Sequence, residues 1–193
     1  MPQKEDYIQL IRNNEHKVGC RDARLVRPQI ITQNMDNNKK LPQRKSPRAN
    51  FHDYSGGMYF VTICTHNKKH YFGEIIDDIK LNPIGEYCKY ELENLHTHYS
   101  SVVVPLFVIM PNHIHAIICI DKPLKEFSKR TTLSVVVGGF KRAITLFAKK
   151  NNITFAWQTR YHDHIIRNLH DQNIIADYIE NNVARWASDC FYK

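Results

Sequence analysis

The stretch FVIMPNHIHAIICI, residues 107–120, limits the possible folds of this chain more than any other segment. Runs of apolar and β-branched residues lie on both sides of Pro111 and Asn112, residue types that favour a tight turn. The segment therefore predicts an antiparallel hairpin. Because alternate residues of a strand point to the same face, His113 and His115 are expected to project side by side.

Paired histidines on one strand face suit a metal site, because neutral imidazole is a common metal ligand. Two ligands are too few for tight binding, so a third group would have to complete the site. The chain contains three pairs of histidines separated by one residue: His96/His98, His113/His115 and His162/His164. The first lies at a predicted helix end, where residues two apart do not face each other, and the third follows a charged loop and is either surface or site. The alternative for His113 and His115 is a pair hydrogen-bonded within the sheet.

The order of the predicted elements defines the fold class. Apolar residues alternate or recur at helical spacing in strand 58–66, helix 81–99, strands 101–110 and 113–120, helix 131–151, a strand within 157–168 and helix 170–186. Asn82 and Asn168 are expected to cap the first and last helices, and Gly138-Gly139 indicates a bend or the close approach of another backbone in the middle one. The first six elements predict an α+β ferredoxin-like sandwich, an antiparallel sheet with helices on one face. The seventh adds a C-terminal helix.

Charge is unevenly distributed along the chain, whose net charge is +8. Residues 1–50 hold 11 Lys and Arg against 5 Asp and Glu, so this quarter carries most of the excess. Because it has few apolar residues and no periodicity, we interpret it as a poorly structured basic arm before a domain at 51–193. Such charge suits either a polyanion partner, of which nucleic acid is the commonest, or a solubilising tail.

Cysteine spacing and the N-terminus argue against other classes of protein. The five cysteines form no Cys-x-x-Cys pair, so a disulfide framework or a cysteine-built zinc site is not expected. Residues 2–6 are polar without a signal pattern, and no apolar run approaches the length of a membrane span. A cytoplasmic, nucleoid-associated protein is therefore expected.

The last predicted helix contains the stretch ADYIENN, in which Tyr178 and Asn182 lie four positions apart, on or beside the apolar stripe. A buried asparagine without a partner costs about 1–3 kcal/mol, so a polar group should meet Asn182. That group is either a cation held by the two histidines or, if Asn182 caps the helix end, the helix backbone.

Taken together, these residues resemble the REP-associated tyrosine transposases, which are single-tyrosine members of the HUH superfamily. The resemblance covers residues 44–193 and rests on five pieces in the family's order: YFVTICTHNKKHYFGEI (59–75), VIMPNHIHAIICI (108–120), SVVVGGFKRAITLFAKK (134–150), WQTRYHDHIIRN (157–168) and DYIENN (177–182). One departure is Val183, which stands where many relatives have a proline after Asn-Asn.

The resemblance implies a metal-dependent endonuclease and strand transferase that acts on single-stranded hairpin or repeat DNA. It implies that His113, His115 and Asn182 bind a divalent ion, Mg²⁺ or Mn²⁺. The helix-borne Tyr178 would be the nucleophile, with Tyr161 as the alternative. Attack on a phosphodiester would leave a 5′-phosphotyrosine and a free 3′-hydroxyl. A monomer is favoured over a homodimer.

Basic and aromatic residues are the candidate DNA contacts. They are Lys39, Lys40, Arg44, Lys45, Arg48, Lys141, Arg142, Trp157, Arg160, Tyr161 and His162. The arm would follow phosphates, and the aromatic residues would stack on unpaired bases. Two alternatives stay open: a domesticated sequence-specific DNA-binding protein without cleavage activity, and a metal-dependent phosphodiesterase that uses water.

Overall fold

The structure is a computed structural model that describes residue 52 and residues 54–121 and 132–192. The basic arm predicted at residues 1–50 lies outside the described residues, and so do its five candidate DNA contacts. Within the described part of the chain, no helix combines the length and apolar character needed to cross a membrane.

Among the described residues, six strands form a four-stranded sheet and a separate small hairpin. The sheet contains β1 (Gly57–Cys64), β4 (Val102–Met110), β5 (His113–Ile120) and β6 (His162–Ile166), and the hairpin contains β2 (Gly73–Ile75) and β3 (Ile79–Leu81). The sheet order is β4-β5-β1-β6, and every neighbouring pair is antiparallel. This is the strand order of a ferredoxin-like sandwich, so the predicted fold class is confirmed.

Four α-helices complete the fold in the described part of the chain, and capping side chains fix the start of three of them. They are α1 (Pro83–Glu93), α2 (Leu95–His98), α3 (Leu133–Lys150) and α4 (Leu169–Glu180). The Asn82 side chain accepts hydrogen bonds from the first backbone N–H groups of α1, and the Asn168 side chain does the same for α4. Both caps that the sequence predicted are confirmed, because Asn accepts bonds from orphan N–H groups of the first turn.

Two predicted helices end earlier than expected, each at an asparagine. The segment predicted as one helix at 81–99 divides at Asn94, whose side chain donates to the Tyr90 carbonyl at 2.8 Å. The last helix was predicted to reach residue 186, but α4 ends at Glu180, and the Asn181 side chain donates to the Asp177 carbonyl at 2.9 Å. Side-chain bonds of this kind compete with continuation of the helix.

The two faces of the sheet pack against different helices. Residues Ile114, Ala116, Ile118 and Ile120 of β5 belong to a large core that also contains buried residues of α1 and α3. The alternate residues of β5 face the other way, and there Ile117 and Cys119 meet α4 through Ile179. The sheet therefore lies between the α1/α3 layer and α4, and His113 and His115 lie on the α4 face.

The outer strand β4 is irregular near its start. Its pairing with β5 shifts register between Val103 and Leu106, and Pro105 lies inside this shift. Proline has no N–H to donate, so an edge position or a bulge is where it is tolerated in a sheet. The rest of β4 pairs regularly, up to Met110 opposite His113.

The glycine pair of α3 faces a side chain, and not the backbone of another segment that the sequence predicted. A Cβ atom at Gly139 would collide with the hydroxyl group of Tyr99, which donates to the Val135 carbonyl at 3.3 Å. A Cβ atom at Gly138 would meet nothing within 4 Å. Of these two glycines, only Gly139 is therefore required by packing.

Candidate active site

Two histidines from the middle of the sheet form the centre of the site. His113 and His115 are 0% and 2% exposed, and their ring centroids lie 4.5 Å apart. Strand β5 is paired on both sides, by β1 opposite Cys64 and Thr62 and by β4 opposite Met110 and Val108. The two rings project side by side, as their spacing predicted. Both imidazoles are carried by a strand whose position is fixed by pairing on both sides.

Each ring has its Nδ1 atom engaged by a neighbouring side chain. His113 Nδ1 lies 2.8 Å from the Asn112 side-chain oxygen, and His115 Nδ1 lies 2.9 Å from the Thr62 hydroxyl. The Nε2 atom of His113 is buried and has no hydrogen-bond partner among the described residues. The alternative of a histidine pair hydrogen-bonded within the sheet is met by one nitrogen of each ring, and it leaves the buried His113 Nε2 without an explanation.

Burial keeps both imidazoles neutral. It lowers the pKa of His113 to about 2, and the nearby His115 and Lys68 add to this lowering. Burial alone lowers the pKa of His115 to about 3. A neutral imidazole retains a ring nitrogen with a free lone pair, which is the form that binds a metal ion.

The phenol of Tyr178 reaches this pair from helix α4. Its hydroxyl oxygen lies 3.2 Å from His115 Nε2, and its ring packs edge-on against Phe60 of β1. Burial raises the pKa of Tyr178 to about 12, and the charge of Asp189 adds to the rise, whereas a hydrogen bond from the Asn182 side chain lowers it. The isolated protein therefore holds Tyr178 as a neutral phenol.

Asn182 follows the end of α4 and is 1% exposed. Its side-chain oxygen is buried without a hydrogen-bond partner in the described part of the chain. The helix end is capped by Asn181 instead, so the alternative of a capping role for Asn182 is wrong. An amide oxygen left unsatisfied in this position costs free energy that a ligand could recover.

Asp189 is a site residue that the sequence analysis missed. One ligand atom each from His113, His115 and Asp189 lie within 4.8 Å of one another, a grouping that can hold a metal ion. Asp189 directly follows a short 3₁₀ turn at Trp186–Ser188, in a segment without periodicity. Nothing in the local sequence distinguishes this aspartate from the others, because only the tertiary fold brings it to the sheet.

The segment around Asp189 covers the histidines. The ring of Phe191 lies 4.5 Å from the ring of His113, centroid to centroid. The Lys68 ammonium group donates to the Cys190 carbonyl at 2.8 Å and lies 5.1 Å from the Phe191 ring. The C-terminal segment is therefore part of the site and contributes to the burial of His113.

The chemistry of these side chains fits a divalent cation. The site offers imidazole nitrogens, one carboxylate and an unsatisfied amide oxygen, a mixed nitrogen and oxygen set that suits ions such as Mn²⁺. The two orphaned atoms, His113 Nε2 and Asn182 Oδ1, are buried polar atoms that the protein itself does not satisfy. Such atoms are rare in folded proteins unless a ligand, ion or water meets them.

The second tyrosine considered as a nucleophile lies elsewhere. Tyr161 is half-buried and packs against the large core on the α1/α3 side of the sheet. It precedes β6, in which His162 lies opposite Thr62 and therefore on the α4 face. Tyr178 contacts a candidate ligand directly, whereas Tyr161 belongs to the opposite layer.

The remaining candidate DNA contacts occupy two kinds of position. Lys141 is half-buried, and its ammonium group donates to the Gln158 carbonyl at 2.6 Å. Trp157 donates to the Lys141 carbonyl at 3.0 Å and packs against aromatic side chains of the core. Arg142, Arg160 and His162 are exposed. Their DNA contacts stay predictions, and the exposed residues are the ones free to meet a ligand.

The other histidine pairs do not gather around the site. His164 lies 3.8 Å from the Asp171 carboxylate, and both His162 and His164 are exposed at the sheet edge. His98, at the end of α2, lies 3.7 Å from the Glu91 carboxylate. Within the described residues, only the His113/His115 pair belongs to a group of His, Cys, Asp or Glu side chains able to hold an ion.

Comparison with known proteins places this geometry in a known fold. The chain resembles the structure of a REP-associated tyrosine transposase bound to a REP hairpin, with a TM-score of 0.50 and 19% identity over 74% of each chain. A candidate transposase from Deinococcus radiodurans superposes less well, with a TM-score of 0.41 and 15% identity over 70% of this chain and 97% of that one. No protein-family model matches the chain.

The fold is therefore that of a REP-associated tyrosine transposase, as the sequence motifs indicated. An uncharacterized protein of Haemophilus influenzae strain Rd is 36% identical over 173 residues, which are 80% of this chain and 96% of that protein. The chain belongs to the same family as this Haemophilus influenzae protein.

Proposed function

We propose that this protein is a metal-dependent single-strand DNA endonuclease and strand transferase that forms a 5′-phosphotyrosine intermediate through Tyr178. The observation that carries the proposal is the 3.2 Å contact between the Tyr178 hydroxyl and His115 Nε2, because it sets a phenol beside paired histidines. The transposase of the same fold was solved with a REP hairpin, which supports hairpin DNA as the substrate class.

Four side chains are available to hold the cation. His113 and His115 would supply imidazole nitrogens, and Asn182 and Asp189 would supply oxygens. A bound divalent cation polarises a phosphodiester and offsets the charge that develops on it during attack. Because imidazole suits Mn²⁺ better than Mg²⁺, Mn²⁺ is expected to be the better activator in vitro.

The covalent step transfers a phosphoryl group to the tyrosine. A bond forms between the Tyr178 oxygen and phosphorus, the bond from phosphorus to the 3′ oxygen breaks, and the phenolic proton is balanced by the new 3′-hydroxyl. The phosphodiester is exchanged for a phosphotyrosine ester, so no ATP is needed. The reverse reaction with another 3′-hydroxyl would join a different strand end.

Tyr178 needs activation before it can attack. Its pKa of about 12 leaves almost no phenolate at neutral pH. The Asn182 hydrogen bond favours the phenolate, and added positive charge at the site would favour it further. A cation held by His115 Nε2 would occupy the lone pair that could otherwise accept a hydrogen bond from the Tyr178 hydroxyl.

The test is formation of a covalent protein–DNA adduct. Purified protein is incubated with single-stranded DNA containing a REP-type hairpin and Mn²⁺, and the products are separated on a denaturing gel. Tyr178→Phe should abolish the adduct. Tyr161→Phe is the matched control, since it also removes one phenolic hydroxyl, and it should retain the adduct.

The outcomes separate the alternatives. Cleavage that persists in Tyr178→Phe would show that water attacks and that the protein is a phosphodiesterase. Hairpin binding without cleavage or adduct, with Mn²⁺ bound, would identify a DNA-binding protein that has lost the reaction. Loss of the adduct in Tyr161→Phe, with the adduct retained in Tyr178→Phe, would identify Tyr161 as the nucleophile.

A further inference from the structure

We propose that Asn112 is a positioning residue that fixes the tautomer of His113, so that this ring keeps its proton on Nδ1 and presents an unprotonated Nε2 to the site. The proposal rests on the proposed function only for the identity of the ligand. The tautomer itself is a property of the metal-free protein.

The orientation of the Asn112 amide follows from its two other contacts. Asn112 is fully buried, and its side-chain nitrogen donates to the Phe191 carbonyl at 2.9 Å and to the Lys68 carbonyl at 3.2 Å. A flipped amide would place its oxygen against both carbonyl oxygens, which cannot donate. The side-chain oxygen must therefore face His113.

That orientation decides where the His113 proton lies. His113 Nδ1 is 2.8 Å from the Asn112 side-chain oxygen, and an amide oxygen only accepts hydrogen bonds. The proton of the neutral ring is therefore on Nδ1, and the lone pair is on Nε2. A neutral histidine side chain in water favours the opposite tautomer, with the proton on Nε2, so the protein holds the less common form. This tautomer leaves the lone pair of the buried Nε2 free, because Nε2 has no hydrogen-bond partner in the described part of the chain.

The partner of His115 does not impose the same choice. His115 Nδ1 faces the hydroxyl of Thr62 at 2.9 Å, and a hydroxyl can donate or accept. Thr62 therefore permits either tautomer, whereas Asn112 permits one. Metal-binding histidines commonly have their second nitrogen fixed by such an outer partner, which orients the ring and sets the tautomer.

The carbonyls that hold Asn112 come from two separate segments. Lys68 has φ of 55° and follows Asn67 with φ of 53°, a left-handed conformation that residues other than glycine rarely adopt. Phe191 belongs to the C-terminal segment that covers the histidines. A strained turn and the segment around Phe191 thus meet at the Asn112 amide, and backbone strain of this kind is often kept where geometry matters for function.

The first experiment reads the tautomer directly in metal-free protein at pH 7.5. Protein labelled with ¹⁵N-histidine is studied by two-bond ¹H–¹⁵N correlation spectra, which distinguish the two neutral tautomers by the shifts of the ring nitrogens. The His113 signals are those that disappear in His113→Gln. We expect protonated Nδ1 in the native protein, and protonated Nε2 would overturn the proposal.

The second experiment separates positioning from a structural role. Asn112→Asp keeps an oxygen acceptor for His113 but disturbs both bonds to the carbonyls, and Asn112→Ala loses the acceptor and both bonds. Both variants should unfold at lower urea concentration. We expect Asn112→Asp to retain the Nδ1–H tautomer and nearly native Mn²⁺ affinity, measured by the loss of the free Mn²⁺ electron paramagnetic resonance signal. Asn112→Ala should bind Mn²⁺ roughly 10- to 100-fold more weakly.

Two results would overturn the proposal: equal loss of Mn²⁺ affinity in both variants, in step with their stability, or an unchanged tautomer and affinity in Asn112→Ala. Failure of the proposed function looks different. A native protein that shows the Nδ1–H tautomer but binds no Mn²⁺ would refute the metal-dependent reaction while supporting the role of Asn112.

Discussion

At the scale of single residues, the two buried histidines make the stability of the metal-free protein depend on pH. Their pKa values in the folded chain are about 2 and about 3, whereas the ordinary value is 6.5. Between these limits the unfolded chain binds more protons than the folded one. The free energy of unfolding therefore rises with pH up to about 6.5 and falls as the pH drops below it.

The expected loss between pH 7.5 and pH 5.5 is about 1.4 kcal/mol for each histidine. It is measured by urea unfolding in the presence of a chelator at the two pH values. A variant carrying His113→Gln and His115→Gln should lose less stability over the same range. An equal pH dependence in this variant would show that other groups are responsible.

The neighbouring residues Asn181 and Asn182 are expected to have separable roles. Asn182→Ala removes a buried oxygen that has no partner among the described residues, together with the hydrogen bond to Tyr178. Since these effects oppose each other, the free energy of unfolding of the metal-free protein should change by less than about 1 kcal/mol. The rise in melting temperature caused by Mn²⁺ should become smaller, because a candidate ligand is lost.

Asn181→Ala is the matched control, one position away. It removes the side-chain bonds to Asp177 that close the end of α4, so the metal-free protein should lose roughly 0.5–1.5 kcal/mol. The rise in melting temperature caused by Mn²⁺ should be unchanged in this variant. If Asn181→Ala abolished the Mn²⁺ effect and Asn182→Ala did not, Asn182 would have no role as a ligand.

At the scale of elements, local signals predicted strand faces and helix starts but not helix ends. The facing of alternate β5 side chains and the caps Asn82 and Asn168 are local features, and the structure has them where the sequence predicts. Strands β2 and β3 were missed because each has only 3 residues, too few to show a period. The helix ends at Asn94 and Glu180 were placed too late, since apolar periodicity continues past the asparagines that stop each helix.

The glycine pair of α3 allows a test of packing within one element. Gly138→Ala should stabilise the protein by about 0.5–1 kcal/mol, because alanine favours the helix and the added Cβ atom has open space. Gly139→Ala should destabilise it, because the Cβ atom would displace the Tyr99 hydroxyl. Both are measured by urea unfolding.

A double variant provides the control for this contact. Tyr99→Phe removes the hydroxyl that the new Cβ atom would meet, so Gly139→Ala should cost less in that background. Equal costs in both backgrounds would show that the Tyr99 hydroxyl is not the cause.

At the scale of the whole molecule, the candidate site joins segments far apart in the chain. The spacing of His113 and His115, and of Tyr178 and Asn182, was visible in the sequence because each pair lies within one element. The approach of Asp189 was not visible, because it depends on how the chain returns to the sheet after α4. Asn112 is part of the hairpin motif that the sequence showed. Its hydrogen bonds to the Lys68 and Phe191 carbonyls are tertiary contacts, which the motif could not predict.

Asp189→Asn tests whether the C-terminal segment contributes a ligand. The variant keeps the size of the side chain and removes its charge, so Mn²⁺ affinity should fall by roughly 10-fold or more, a loss at least as large as that from an outer partner. Affinity is measured by titration calorimetry. Glu180→Gln, at an exposed position of α4, removes the same charge and should have little effect. Equal affinities for native and Asp189→Asn protein would exclude Asp189 as a ligand.

The irregular start of β4 bears on how two copies could associate. An outer strand can recruit a second molecule by extending the hydrogen-bond ladder, a common route to unwanted fibres. Pro105 and the register shift beside it interrupt the row of backbone N–H donors along the outer edge of β4. Assembly by continuous sheet growth is thus disfavoured on the β4 side, and a dimer, if formed, would have to use other surfaces.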